Sequence, residues 1–172
     1  MGGVLALRYA LMYPGEVSKV VACDMPGMTS LEASKPLWRD RIAMFREDGV
    51  DELAQKTVKR WFPDPCPQGV KEEALKQTQS CTLQGYEVCA EGIMGFDYTE
   101  ELAKIDKEEV LVIRGENDEA VGPKEVLEDV SKRIKGSQFL EMKGVGHLPP
   151  MHGAEDFERI MLGFLGTLEK QA

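Results

Sequence analysis

The sequence predicts an α/β protein: a parallel sheet with flanking helices, into which a helical cap is inserted. Short β-branched apolar runs stand at 18–24, 109–114 and 137–142, as buried strands of a parallel sheet require. Helical patterns alternate with them, and between the first two runs the stretch 30–99 is patterned as amphipathic helices. The expected division is 1–29 and 100–172 for the sheet unit and 30–99 for the cap.

Residues 2–13 form the first expected helix. Val4, Leu5, Leu7, Arg8, Ala10, Leu11 and Met12 favour that state, and Pro14-Gly15 stops it. The first strand, 18–24, ends before the turn-forming Pro26-Gly27. Within the insertion, helices are expected at 35–48, 50–61 and 70–79, broken by Pro63, Pro65 and Pro67. A strand at 109–114, a helix over 123–134 with Pro123 near its first turn, a strand at 137–142 and a helix at 156–168 follow. Three strands are few for such a sheet, and the first would be left with an open apolar edge. The expectation is therefore a partial sheet whose front strands lie outside these residues. Self-association through the 20–21 edge and the Leu5, Leu11 side of the first helix is expected with it.

Thirty acidic and 21 basic residues leave a net charge of -9, which repels polyphosphate and anionic lipid and argues against nucleic acid or a membrane as partner. The apolar stretch 2–13 is interrupted by Arg8 and too short to span a bilayer, and no targeting signal is visible. Cys23, Cys66, Cys81 and Cys89 match neither a CxxC pair nor a dense disulfide framework, so free thiols and a cytoplasmic location are expected. The two histidines, His147 and His152, do not share a helix face, and no metal site is expected.

Reactive groups of open parallel sheets sit on loops after the C-terminal ends of strands, where those loops converge. Two loops stand out: Gly115-Glu116-Asn117-Asp118 after the second strand, and Gly144-Val145-Gly146-His147-Leu148-Pro149-Pro150 after the third. Histidine moves a proton near neutral pH, and a carboxylate fixes its tautomer and stabilises the imidazolium. As an alternative, Asp118 begins a turn and His147 is structural.

Met1-Gly2-Gly3 before a helix matches the second half of a Gly-x-nucleophile-x-Gly elbow, a strand-to-helix turn that glycines permit. Taken in order with Asp118 and His147, these residues resemble the α/β-hydrolase fold enzymes over the whole chain, as the C-terminal part of that fold. More narrowly, the chain is similar to the 3-oxoadipate enol-lactonases. The narrower resemblance rests on Trp38 with Arg41-Ile42, on Arg60-Trp61-Phe62, on Gly85-Tyr86 with Cys89 and Asp97, and on the segments ending in Asp118 and around His147.

The resemblance implies that His147 is the general base, that Asp118 orients it, and that the backbone N–H of Met1 is one oxyanion donor. It places a serine nucleophile immediately before Met1 and the second donor on a loop after an early strand. The implied reaction is hydrolysis of a carboxylic ester or lactone through an acyl-enzyme, without cofactor or metal. A carboxylate on such a substrate calls for a cation, with Arg60, Arg41 and Arg39 as candidates and Trp38 and Trp61 as apolar walls. Other readings stay open. They are a related hydrolase acting on carbon–carbon bonds, epoxides or haloalkanes, a non-catalytic truncated remnant, and an unrelated binding module in which Asp118 and His147 never meet.

Overall fold

Residues 1–118 and 121–166 are described by a computed structural model of the chain. Glu119-Ala120 and the expected end of the last helix at 167–168 lie outside the described residues. Helix α1 (Gly2–Met12) leads into β1 (Lys19–Cys23). Four helices, α2 (Lys35–Asp48), α3 (Val50–Trp61), α4 (Gln68–Gln79) and α5 (Leu83–Met94), then precede β2 (Glu109–Gly115). The described order closes with α6 (Lys124–Arg133), β3 (Gln138–Met142), the one-turn α7 (Pro149–His152) and α8 (Ala154–Leu165).

The strands pair in parallel in the order β1-β2-β3, with Val21 beside Leu111 and Ile113 between Cys23 and Leu140. As the middle strand, β2 is buried on both faces, which its unbroken Val110-Leu111-Val112-Ile113 run anticipates. Val110 and Val112 pack with Val4 and Leu7 of α1 and with Leu127 and Val130 of α6. On the opposite face, Leu111 and Ile113 pack with Met142, Val145 and the Phe157, Ile160 and Phe164 stripe of α8. The sheet is thus a middle layer between α1 with α6 and α8. Helix α1 comes close to β1 because Gly3 has no side chain: a Cβ there would lie 3.1 Å from Cys23 O.

The insertion departs from its sequence reading in two places. Helix α4 begins at Gln68 rather than at 70, because Pro67 stands at its N-cap. Helix α5, which the sequence reading did not delimit, starts where the Thr82 hydroxyl accepts the Gly85 N–H at 3.2 Å, a side-chain N-cap. Gly49, at φ 85, ends α2 and starts α3, a left-handed turn that favours glycine. Helix α8 begins two residues before the expected 156.

Strand β1 lies at the edge of the described sheet. Leu5, Tyr9, Met12 and Tyr13 expose one side of α1, whereas Leu11, expected on that open side, is partly buried against the core. Among the described residues no helix is long and apolar enough to cross a membrane.

Gly115 is the tightest point. A Cβ there would stand 2.2 Å from Gly146 O and 2.6 Å from Val145 O, both backbone atoms. Gly115→Ala is expected to cost ~2–4 kcal/mol of stability in urea denaturation. A variant as stable as the parent would show that the 144–146 loop yields.

Candidate active site

The loop after β2 is held from beneath by Arg114, a buried side chain. Its guanidinium donates to Gly122 O (3.2 Å), Glu116 O (2.9 Å) and Asp118 O (3.1 Å). Strand register sets Arg114 beside Glu141, whose Oε2 takes a further bond at 3.0 Å. Burial pulls the Glu141 carboxyl up, but Lys124, Lys143 and Arg114 outweigh it and hold the carboxyl below its ordinary value. The charged fork thus satisfies carbonyls that the turn cannot pair within itself.

A second set of bonds fastens this loop to the one after β3. Glu116 N–H donates to Met142 O (2.9 Å) and Asn117 N–H to Val145 O (2.8 Å). Glu116 accepts from Lys143 Nζ (2.7 Å) and from Gly144 N–H (2.9 Å), which hold its carboxyl below the ordinary value. Gly146 N–H donates to His152 Nδ1 at 2.9 Å, so that ring carries its proton on Nε2, 3.0 Å from Pro65 O. His147 N–H reaches across to Trp61 O at 2.9 Å, and a Cβ on Gly146 would lie 2.3 Å from that same oxygen.

These constraints bring His147 Nδ1 to 3.0 Å from Asp118 Oδ2. Asp118 is 1% exposed, and the His147 side chain 13%. With Nδ1 turned to the carboxylate, Nε2 is the ring nitrogen left for proton transfer on the cavity side. Such a pair can accept a proton from a nearby hydroxyl and return it to a leaving group.

His147 forms part of the wall of a cavity of about 450 Å³ lying between the sheet unit and α2 to α5. Met1, Trp38, Arg60 and Trp61 line the same cavity. The Trp61 ring stands 5.3 Å from the His147 ring, centroid to centroid, whereas Phe62 is fully buried in the insertion core. Arg41 also lines the wall and stacks on Trp38 at 4.7 Å, while Arg39 is exposed and lies off the cavity.

Arg41 and Arg60 have no carboxylate partner among the described residues. Burial, and then the charge of Arg41, holds Arg60 below its ordinary value; burial pushes the neighbouring Tyr86 hydroxyl up. No group of three or more metal-ligating side chains comes together among the described residues.

Three residues here were not singled out from sequence: Arg114, His152 as a backbone tie, and Asp24. Asp24 was read only as the end of the first strand. Its position after a strand end, the same kind of place as Asp118, was the available signal.

No protein-family model matches the chain. The pimeloyl-[acyl-carrier protein] methyl ester esterase of Neisseria meningitidis is 25% identical over 172 residues, covering 96% of this chain and 66% of that protein. The 3-oxoadipate enol-lactonase 2 of Acinetobacter baylyi is 28% identical over 122 residues, 69% of this chain and 44% of that protein. Among solved structures, the enol-lactonase from Burkholderia xenovorans superposes with a TM-score of 0.83 at 24% identity, over 96% of this chain and 63% of that one. An alpha/beta hydrolase enzyme from a deep-sea metagenome superposes at 0.80 with 18% identity, over 99% and 64%. The chain thus spans just under two thirds of the length of the esterase and of these solved structures.

The bonds around His152 lead to a direct check. His152→Ala removes the acceptor of Gly146 N–H and the donor to Pro65 O, and is expected to cost about 1–3 kcal/mol. Amide exchange at Gly146 and His147 should quicken more than at β2. Unchanged exchange there would show that the loop holds without the imidazole.

Proposed function

Because its relatives and structural neighbours are α/β-hydrolases, with which it shares that fold, we propose that this chain carries the acid and base of a carboxylic ester or lactone hydrolase. The observation that carries the reading is the 3.0 Å contact of His147 Nδ1 with buried Asp118, on the wall of a cavity large enough for a small ester. Asp118 orients His147, and His147 takes the proton of an attacking hydroxyl, then activates water against the acyl-enzyme. The reading assigns the attack to a serine preceding Met1 and an oxyanion contact to the Met1 backbone N–H. No cofactor enters this chemistry. The helices α2 to α5, 30–99, act as a cap whose Trp38 and Trp61 close the apolar part of the cavity.

A substrate with a free carboxylate is part of the proposal. Two guanidiniums that form no ion pair among the described residues, Arg41 and Arg60, face one mostly apolar cavity, and an anion between them would relieve their mutual repulsion. A cytoplasmic setting is supported by four unpaired cysteines. Self-association is supported by the open β1 edge and the exposed Leu5 and Tyr9, and sedimentation of the 172-residue chain tests it, a monomer at all concentrations refuting it.

The activity test uses the protein with its own upstream coding residues, assayed on p-nitrophenyl acetate and on an enol-lactone. His147→Ala is expected to lower kcat by roughly 10³-fold or more, and Asp118→Asn comparably. An aspartate encoded before Met1, or turnover indifferent to His147, overturns the reading. Arg60→Ala should raise KM about 10- to 100-fold for a carboxylate-bearing ester and leave a neutral ester unaffected. Equal effects on both esters would remove the carboxylate from the proposal.

A further inference from the structure

Behind the Asp118 and His147 pair lies a second carboxyl. Asp24 continues the ladder of β1, its N–H donating to Ile113 O at 3.0 Å, then turns sharply at φ 38, the left-handed region that non-glycine residues seldom occupy. It is 2% exposed. Oδ1 accepts the Gly115 N–H at 2.9 Å. Oδ2 is buried and meets no donor among the described residues, and the Asp118 carboxyl stands close enough to Asp24 for the two to share a hydrogen bond.

Two ionised carboxylates cannot rest in such a contact away from water. One proton between them turns the orphaned oxygen into a donor and removes the repulsion. Asp118 already takes the ring nitrogen of His147 on Oδ2. Among the described residues Asp24 has the single amide of Gly115, so the proton belongs on Asp24.

We propose that Asp24 is a positioning residue: a neutral carboxylic acid whose Oδ2–H donates to the Asp118 carboxylate and holds it toward His147. This rests on the proposed relay, but its test is read on the carboxyls and the imidazole, apart from any hydrolysis. Burial first, and Asp118 beside it, push Asp24 up to about 8, against the pull of the Gly115 N–H and Arg114. The other groups facing it are Cys23 on its own strand, its thiol pushed up to about 12 by burial and by Asp24, and His147 through Asp118. The donor is therefore present at neutral pH and lost above about pH 8.

The stability consequence has a definite sign. A carboxyl titrating near ~3.9 when unfolded and near 8 when folded supports the fold fully at low pH, and loses that contribution as pH rises from about 4 to 8. Asp24→Asn offers an amide donor to Asp118 and an oxygen to Gly115 without titrating. Its melting temperature should gain on the parent steadily from pH 4 to pH 8 and then hold the gap. A purely structural change gives a constant gap instead, and overturns the proposal.

Carbon-13 carboxyl spectra of the unsubstituted chain should show Asp24 titrating near pH 8, with the His147 ring signal stepping at the same pH. Asp24→Asn should abolish the step and leave the ring signal at its neutral-pH position, while Asp24→Ala, lacking the donor, should move it. Asp24 titrating below pH 5, a step that survives in Asp24→Asn, or equal ring signals in the two variants would each overturn the assignment. An active extended protein with no such step keeps the hydrolase reading and rejects this one. A step without hydrolysis does the reverse.

Discussion

At the C-terminal end of β2 the backbone must leave the sheet, pass beneath the loop after β3 and present a carboxylate, all within four residues from Gly115 to Asp118. The close approach of Gly115 to the carbonyls of Val145 and Gly146 makes this possible, and nothing larger than hydrogen fits there. Its amide then binds Asp24, its carbonyl receives Asp118 N–H, and the next two amides bind Met142 and Val145. Arg114, one residue earlier, collects the carbonyls of the turn. The contact between Asp118 and His147 is thus the sum of backbone commitments made upstream of both side chains. Side-chain geometry of this kind is held by its supports more than by its own energy.

The fold was legible where a physical period imposed itself on the chain. Val110 to Ile113 reads as a doubly buried strand because both faces are covered, and the alternation of α1 and α6 against α8 confirms it residue by residue. Helices α2 and α3 were delimited to the residue by their amphipathic patterns, and Gly49 at φ 85 makes the turn between them. Helix α5 escaped because its mixed Leu-Gln-Gly-Tyr start shows no clear period, and the Thr82 cap that begins it is a three-atom feature. Asp118 and His147 were legible because glycines bracket them after strand ends. Asp24 was not, since a turn-forming Pro26-Gly27 two residues on gave it an ordinary explanation. His152 was weighed only as a metal ligand, a role its backbone bonds leave no lone pair to fill. Which arginine faces the cavity also lay beyond the pattern: Arg39 and Arg41 are separated by half a helical turn, and only packing decides.

The charge of the molecule is unevenly spent. A net charge of -9 surrounds a cavity whose wall holds two guanidiniums that form no ion pair among the described residues, while Arg46, on the same helix as Arg41, pairs at 2.7 Å with Glu87. Exposed pairs of that kind contribute little. Unpaired charges against apolar walls are costly, which is why these two carry the proposed carboxylate contact.

The two histidines are five residues apart and both face the Trp61–Pro65 stretch, yet by different means: His147 through its backbone N–H to Trp61 O, His152 through its ring to Pro65 O. The end of α3 is therefore pinned at two points to the segment that carries the imidazole. In mechanical terms the pair of pins is a clasp, so the floor and this portion of the roof must travel as one rigid piece. Leu37 of α2 and Cys89 of α5 border the same space from two helices that are tied to each other by Arg46 and Glu87.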